Sequence, residues 1–335
     1  MRNQRIVLAS RPTGFPTHEN FRLEETSLPS LAEGEVRIRH HFLSLDPYMR
    51  GRMSEGKSYA EPQALGETMI GGTVGDVVES RHPRFAVGDH VVGMGGWQCF
   101  STVQGDGELH KIDTSVIPMS AYLGAVGMPG VTAWYGLNKI CAPQAGETVC
   151  VDAASGAVGS VAGQLAKLAG CHVVGIAGGA EKCRYVTEIL GFDACIDYRQ
   201  HADHRSLGQA LKAAAPNGID AHFENVGGVL LDAVMSRMNA HGRIAVCGMI
   251  SGYNGEPIPM ALPQLILVQR LKVQGFIVSE HMAHWPEALR ELAGHVAAGR
   301  IRYRETIAVG LENAPAAFFD LLSGRSFGKQ LVKLV

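Results

Sequence analysis

ETVCVDAASGAVG, residues Glu147 to Gly159, decides how this chain of 335 residues is organised. Thr148 to Ala153 is short and rich in β-formers, and Val158, Val161, Ala162 and Leu165 then recur at helical spacing. The stretch reads as a buried strand feeding a glycine turn and a helix. Ala154, Gly156 and Gly159 fall on the positions of the G-x-G-x-x-G dinucleotide fingerprint, with the first glycine replaced by alanine. Gly156 would let the backbone approach a pyrophosphate, Gly159 would let the helix pack on the strand, and the positive end of the helix would hold the anion. An ordinary strand-to-helix turn shares this local pattern, so the context decides.

Downstream, the period keeps alternating. Strand 147–153 is followed by helix 157–169 closed by Gly170, strand 172–176, helix 181–190 closed by Gly191, and strand 194–198. A helix over 206–214, a turn at Pro216-Asn217-Gly218 and a fourth strand, Ile219 to Phe223, come next. Helix 229–238, strand Arg243 to Gly248, helix 263–271 and strand Val273 to Val278 complete the series. Six strands alternating with helices predict an α/β, doubly wound parallel sheet with right-handed crossovers, which is the setting the fingerprint requires.

Upstream the pattern is all-β from Arg2 to about Leu123. Val36 to Leu45 alternates partly, Gly71 to Ser80 is a glycine-rich strand, and Phe85 to Met94 is a turn and strand. Short strands with Gly and Pro breaks predict a barrel. Asp46 to Met53, DPYMRGRM, breaks the pattern and puts Tyr48, Met49 and Arg50 on a connecting segment, where they either carry function or plug the barrel's end. A helix over about Met119 to Leu137, interrupted by Gly127, Pro129 and Gly130, leads into the fingerprint strand. At the end, a helix starting near Pro315 and a strand from Gln330 to Leu334 are expected to return to the first domain.

Composition narrows the function classes. The length suggests about two domains. Hydrophobic residues make up 46% and charged ones 19%, with no run long enough to span a membrane and no apolar leader, so a cytoplasmic protein is expected. Net charge is −2 and the basic residues are scattered among acids, which removes the electrostatic signature of a nucleic-acid binder. Seven cysteines without a C-x-x-C pair read as reduced core thiols.

A fold of this kind that takes NAD usually ends its second strand in Asp or Glu, for the ribose 2′-hydroxyl. Here that strand runs into VVGIAGGAEK, where Ala177, Gly178 and Gly179 leave room and Lys182 supplies a positive charge for a 2′-phosphate. NADP is the expected cofactor. Asn225, in FENVGG after the fourth strand, lies at the carboxyl end of the sheet, as ligand contact or as a turn-forming residue. The closely spaced cysteines of a structural zinc site and the converging ligands of a catalytic one are not evident, so no metal is expected. A G-x-S-x-G elbow is missing as well.

SLDPYMR (Ser44 to Arg50), GMPGVTAWYGL (Gly127 to Leu137), AASGAVGSVAGQLAKLAGC (Ala153 to Cys171), VVGIAGGAEKCRY (Val173 to Tyr185), FENVGG (Phe223 to Gly228), GRIAVCGMISGYN (Gly242 to Asn254) and GLENAPAAF (Gly310 to Phe318) together resemble the zinc-independent branch of the medium-chain dehydrogenase/reductase superfamily, which contains prostaglandin reductases, alkenal double-bond reductases and NADPH-dependent curcumin reductases. The resemblance implies a GroES-like, partly open β-barrel over 1–124 and 302–335 and a Rossmann domain over 125–301. It implies that Gly156, Ala157, Val158 and Gly159 hold the pyrophosphate, and that Lys182 and Tyr198 meet the adenosine phosphate. Asn225, Cys247, Gly248, Met249, Ile250, Ser251 and Tyr253 would line the cofactor, and Phe276, Ile277 and Val278 would approach the nicotinamide. Ser326 stands where several relatives carry Asn.

The implied reaction is NADPH-dependent reduction of the C=C bond of an α,β-unsaturated aldehyde or ketone. Tyr253, with Tyr48 at the substrate cleft, is the candidate donor to the developing enolate oxygen. A quinone reductase and a non-catalytic NADPH-binding protein are the alternatives. The apolar last strand of the sheet, at an edge, implies a homodimer.

Overall fold

A computed structural model describes residues 2–334. The chain forms two units, one made of Met1–Gly124, Tyr253–Gly255 and Glu305–Val335, the other of Ala125–Gly252 and Glu256–Arg304. Arg302 to Arg304 thus stay with the second unit, and a short piece around Tyr253 joins the first.

The first unit is β-rich. Its strands are β1 (Arg2–Leu8), β2 (Phe21–Ser27), β3 (Glu35–Ser44), β4 (Thr73–Ser80), β5 (His90–Gly93), β6 (Phe100–Gln104) and β7 (His110–Lys111). In β3, two register irregularities, between Arg37 and Ile38 and between His40 and Phe42, bend the strand. Its first half pairs with β6 and its last residues with the C-terminal strand, so one long strand curls the sheet.

The segment Asp46 to Met53 differs from the expected irregular connection: Tyr48–Arg52 is a short helix. The helix separates the roles of its side chains. Met49 is fully buried beside Met53, Met69 and Trp97, whereas Tyr48 stays partly exposed.

The second unit contains β8 (Thr148–Val151), β9 (His172–Ala177), β10 (Ala194–Asp197), β11 (Ile219–Glu224), β12 (Met238–Val246) and β13 (Lys272–Gly275). They form one parallel sheet in the order β10-β9-β8-β11-β12-β13, the doubly wound order that reverses between β8 and β11. All four residues of β8 are buried, as in a strand covered on both faces. Val149 and Val151 face one core with Val161, Leu165 and Phe223, and Cys150 faces the other with Val174, Leu207 and Ile244. β14 (Glu305–Val309) and β15 (Lys329–Lys333) then extend the sheet of the first unit, β15 antiparallel to β3.

Three expectations shift. The helix expected over Met119 to Leu137 divides into a 3-10 turn, Met119–Leu123, and a helix, Met128–Tyr135. The turn back onto that helix is tight, since a Cβ on Gly130 would lie 2.0 Å from the Ala125 carbonyl oxygen. The last strand stops at Gly275, because Phe276 and Val278 turn inward to the core. A helix over Trp285–Ala297 was not anticipated; it buries only Ala288 and Leu292, too narrow a stripe to stand out as a period.

In the first unit, buried Lys329 donates to Asp46 Oδ1 at 2.6 Å and to the Leu45 carbonyl at 2.8 Å, and Ser44 Oγ donates to Asp46 Oδ2. This pair fastens the segment that carries Tyr48 to β15. Removing one partner leaves an uncompensated buried charge. Lys329→Met is therefore expected to destabilise the protein by about 3–5 kcal/mol. Asp46→Asn combined with Lys329→Met should cost less than the two single changes added together, measured as urea unfolding midpoints. Additive losses would show that the two groups do not depend on each other.

Candidate functional site

The carboxyl ends of β8, β9, β11 and β12 each give way to a partly exposed turn. After β8, Asp152 is buried, Ala153 takes a left-handed φ of 42° and Ala154 is fully buried. The left-handed position of the fingerprint turn therefore falls one residue before the alanine that replaces its first glycine. A Cβ on Gly175 would come within 2.9 Å of the Ala154 Cβ, so β9 carries a glycine where the turn after β8 carries the extra methyl.

Helix Gly159–Leu168 begins against the strand end. A Cβ on Gly159 would meet the Ala153 carbonyl oxygen at 2.5 Å and that of Asp152 at 2.9 Å. Gly156, Ala157 and Val158 remain partly exposed at the head of this helix. Its positive end therefore faces outward through a turn with little side-chain bulk, an arrangement suited to an anion.

Beyond β9 and β10 a second cluster forms. A Cβ on Gly178 would lie 2.9 Å from Tyr198 Cε1, 3.1 Å from its hydroxyl and 3.0 Å from Arg199 Nε, so only glycine admits these side chains. Asp197 Oδ1 accepts from the backbone amides of Gly179, at 2.7 Å, and Arg199, at 3.1 Å, and ties the two turns together. Burial, and then the charge of Arg199, hold Lys182 below the ordinary lysine range. Two cations thus share one corner with a tyrosine hydroxyl. Arg199 was not among the sequence candidates. Its signal was the Tyr-Arg pair directly after the third strand of the sheet.

Asn225 follows β11 and is held on three sides. Its backbone amide donates to Asp152 Oδ1 at 2.7 Å, its side-chain amide to the same oxygen at 3.0 Å, and Cys247 Sγ lies 2.9 Å from its Oδ1. The backbone of Ile250 donates to the Asn225 carbonyl and that of Ser251 to the Val226 carbonyl, both at 3.1 Å, so residues 247–251 are sewn onto this turn. Cys247, Gly248, Met249 and Ile250 are partly exposed there, and Ser251 is exposed. Phe276 and Val278 point into the core, with Phe276 against Tyr135 and Phe223; of the three residues expected near the nicotinamide, only Ile277 keeps partial exposure.

Tyr48, Tyr253 and Ser326 belong to the first unit. Burial, reinforced by the charge of Asp46, pushes the Tyr48 phenol well above its ordinary range, so it remains a protonated donor at any physiological pH. Tyr253 follows a 3-10 turn, Ile250–Gly252, and is partly exposed. Ser326, also partly exposed, donates its backbone amide to the Asp320 carbonyl.

Residues 4–112 match a family described as the N-terminal domain of oxidoreductase, and residues 157–294 one described as zinc-binding dehydrogenase. The NADPH-dependent curcumin reductase of Escherichia coli (strain K12) is 49% identical, over 99% of this chain and 97% of that one. The NADP(+)-dependent 2-alkenal reductase of Nicotiana tabacum is 43% identical, over 98% and 97%. The crystal structure of CurA in complex with NADPH from Vibrio vulnificus superposes with a TM-score of 0.92 at 46% identity, covering 99% of both chains. Together with the two-unit architecture, these likenesses show that the chain belongs to the zinc-independent branch of the medium-chain dehydrogenase/reductase superfamily.

Proposed function

We propose that the protein is an NADPH-dependent reductase of the C=C bond of α,β-unsaturated aldehydes and ketones. Near-complete coverage at 43–49% identity to reductases named for curcumin and alkenals is the observation that carries this reading. The corner built by Lys182, Tyr198 and Arg199 supports the choice of NADP, because its donors suit a 2′-phosphate and the second strand ends in Ala177 and glycines instead of an acid. Asp197, the carboxylate that ends the third strand of the sheet, holds backbone amides through Oδ1 and Gln200 through Oδ2, and Glu181 lies beside Lys182 on the same helix.

The turn of Gly156, Ala157, Val158 and Gly159 receives the pyrophosphate, with the helix end supplying positive potential. Asn225 and residues Cys247 to Ser251 line the cofactor, the backbone of Phe276 to Val278 approaches the nicotinamide, and Ser326 contributes a hydroxyl. NADPH, when bound, supplies a hydride for the β-carbon of the substrate. The remaining task falls to the chain: as the C=C bond is reduced, negative charge grows on the carbonyl oxygen, and a hydrogen bond to that oxygen favours the transition state over the ground state. Tyr253 is the assigned donor, with Tyr48 beside the substrate. A panel of enals, enones, quinones and saturated ketones, followed by NADPH oxidation, tests the assignment. Turnover of quinones alone would replace it with a quinone reductase, and turnover of none with a binding protein.

Cofactor choice follows from the charged corner. A charged hydrogen bond contributes roughly 1.5–3 kcal/mol, so Lys182→Ala is expected to weaken NADPH binding by about ten- to a hundredfold while leaving NADH binding nearly unchanged. Equal affinity of the unaltered protein for NADH and NADPH would remove the basis of this assignment.

At Tyr253 the expected outcome is a kinetic split. Tyr253→Phe should keep NADPH affinity and lower kcat for a short-chain enone, by up to ~10²-fold if one oxyanion donor is lost. An unchanged kcat with a raised KM would reassign Tyr253 to substrate binding.

The protein is further proposed to be a homodimer in a reducing, cytoplasmic compartment. Strand β13 lies at the sheet edge with Val273 exposed, and pairing with a second copy would cover it; all seven cysteines are free thiols. Sedimentation at micromolar concentration should give a dimer, and replacing Val273 by Pro should give a monomer. A monomeric unaltered protein would exclude the edge as an interface.

A further inference from the structure

Beneath the Asn225 turn lies a polar cluster with no part in the scheme above. Asp152, His222 and Glu224 are all fully buried, and one atom from each lies within 4.8 Å of the others. Each side chain has its opposite atom already engaged. His222 Nδ1 is 3.0 Å from the Cys150 carbonyl, which only accepts, so Nδ1 carries a hydrogen. Glu224 Oε1 accepts from the amides of Val226 and Gly227, at 2.6 and 2.7 Å. Asp152 Oδ1 accepts from Asn225, as described.

Three atoms are left facing one another: His222 Nε2, which is 3.1 Å from Glu224 Oε2, and Asp152 Oδ2, which is buried without a hydrogen-bond partner among the described residues. Three lone pairs in a dry site repel, and an ionised Asp152 would add a second uncompensated charge next to Glu224. Two hydrogens resolve the conflict. One on Nε2 and one on Oδ2 both point to Glu224 Oε2, and the cluster becomes electrically neutral. Burial first, and then the Glu224 carboxylate, push the Asp152 carboxyl far above its ordinary range. Burial pushes Glu224 up too, but the hydrogen bond and charge of His222 outweigh it and hold Glu224 low. The nearby thiols of Cys150 and Cys247 are pushed up, chiefly by burial, and stay protonated.

We propose that Asp152 is a neutral carboxylic acid, and that Asp152, Glu224 and His222 are positioning residues whose two shared protons lock the turn from Asn225 to Gly228 in the shape that receives NADPH. The lock has something to restrain, since Gly227 and Gly228 take φ of 82° and 62°, a conformation that costs glycine much chain entropy to hold. Glu224 grips two of the amides in this turn and Asp152 a third. This inference rests on the reading that the turn lines the cofactor.

Two isosteric substitutions test it, because they answer differently to the proton count. In Asp152→Asn the amide oxygen accepts from Asn225 and the amide nitrogen donates to Glu224, reproducing the protonated acid. Its NADPH Kd should stay within about threefold of the unaltered protein, measured by quenching of intrinsic fluorescence. In Glu224→Gln an amide nitrogen faces two donors or displaces the turn, and Kd should rise about ten- to a hundredfold. An infrared spectrum of the unaltered protein, without cofactor, should show a protonated-carboxyl C=O band that shifts in D2O and is lost in Asp152→Asn.

An Asp152→Asn loss as large as that of Glu224→Gln, or an infrared spectrum without such a band, would overturn the proposal. So would a stoichiometric divalent metal whose removal by chelator weakens NADPH binding. Should Glu224→Gln fail to fold, Asp152→Asn and the infrared band still decide. Failure of the unaltered protein to bind NADPH would strike the functional reading instead, while the band would still test the shared protons.

Discussion

The closeness of the helix at Gly159 to the end of β8 is the constraint on which the second unit depends. With the ideal Cβ only 2.5 Å from a carbonyl oxygen of the preceding turn, any other residue would push the helix away from the strand. That displacement would carry the positive helix end away from the turn it serves, and would loosen Val161 and Leu165 from the core they share with Val149 and Val151. Gly163 extends the same constraint, since a Cβ there would overlap the ring of Phe192 at 1.8 Å. Core packing and anion recognition therefore come from one set of close approaches, and neither can be altered without the other.

Buried charge does comparable work in both units. In the first, Lys329 and Asp46 fasten a helical segment to β15; in the second, Asp152, Glu224 and His222 hold the turn after β11. Such groups contribute little net stability compared with apolar residues of the same volume, because desolvation offsets most of their attraction. What they supply is direction. A hydrophobic contact tolerates sliding by an ångström, whereas a carboxylate gripping two backbone amides at 2.6 and 2.7 Å does not. Both clusters stand next to segments that carry candidate site residues, where exact placement has a use.

The doubly wound sheet was legible in the sequence because its strands are short apolar runs separated by helices with caps, and both signals are local. Boundaries were less so: the last strand ends at Gly275 since Phe276 packs against Tyr135 and Phe223, both far away in sequence. Lys182 and Asn225 could be picked out because each lies beyond a strand's carboxyl end, whereas Tyr198 came only from the family resemblance. Tyr48 could be selected but not separated from Met49, because the helix that turns one to the core and the other partly outward is five residues long, too short for a period. The Asp152, His222 and Glu224 cluster was hidden for a different reason: two members sit on β11 and the third directly follows β8, and the parallel pairing of these strands, not sequence distance, brings them together.

Arg199 adds a second cation to a preference for NADP that Lys182 already suggests in the sequence. Reasoning from the second strand alone asks whether its end carries an acid, and Ala177 to Gly179 answers only that it does not. Absence of an acid leaves room; it does not create affinity for a second phosphate. The affinity has to come from cations held near one another; burial, and then the charge of Arg199, hold Lys182 below the ordinary lysine range. Like charges kept together at this corner, where the missing side chain of Gly178 admits Tyr198 and Arg199, cost the folded protein some stability. A dianionic phosphate would relieve that repulsion on binding, so in the proposed reading the cost of holding the cations together and a preference for NADPH over NADH have the same electrostatic origin.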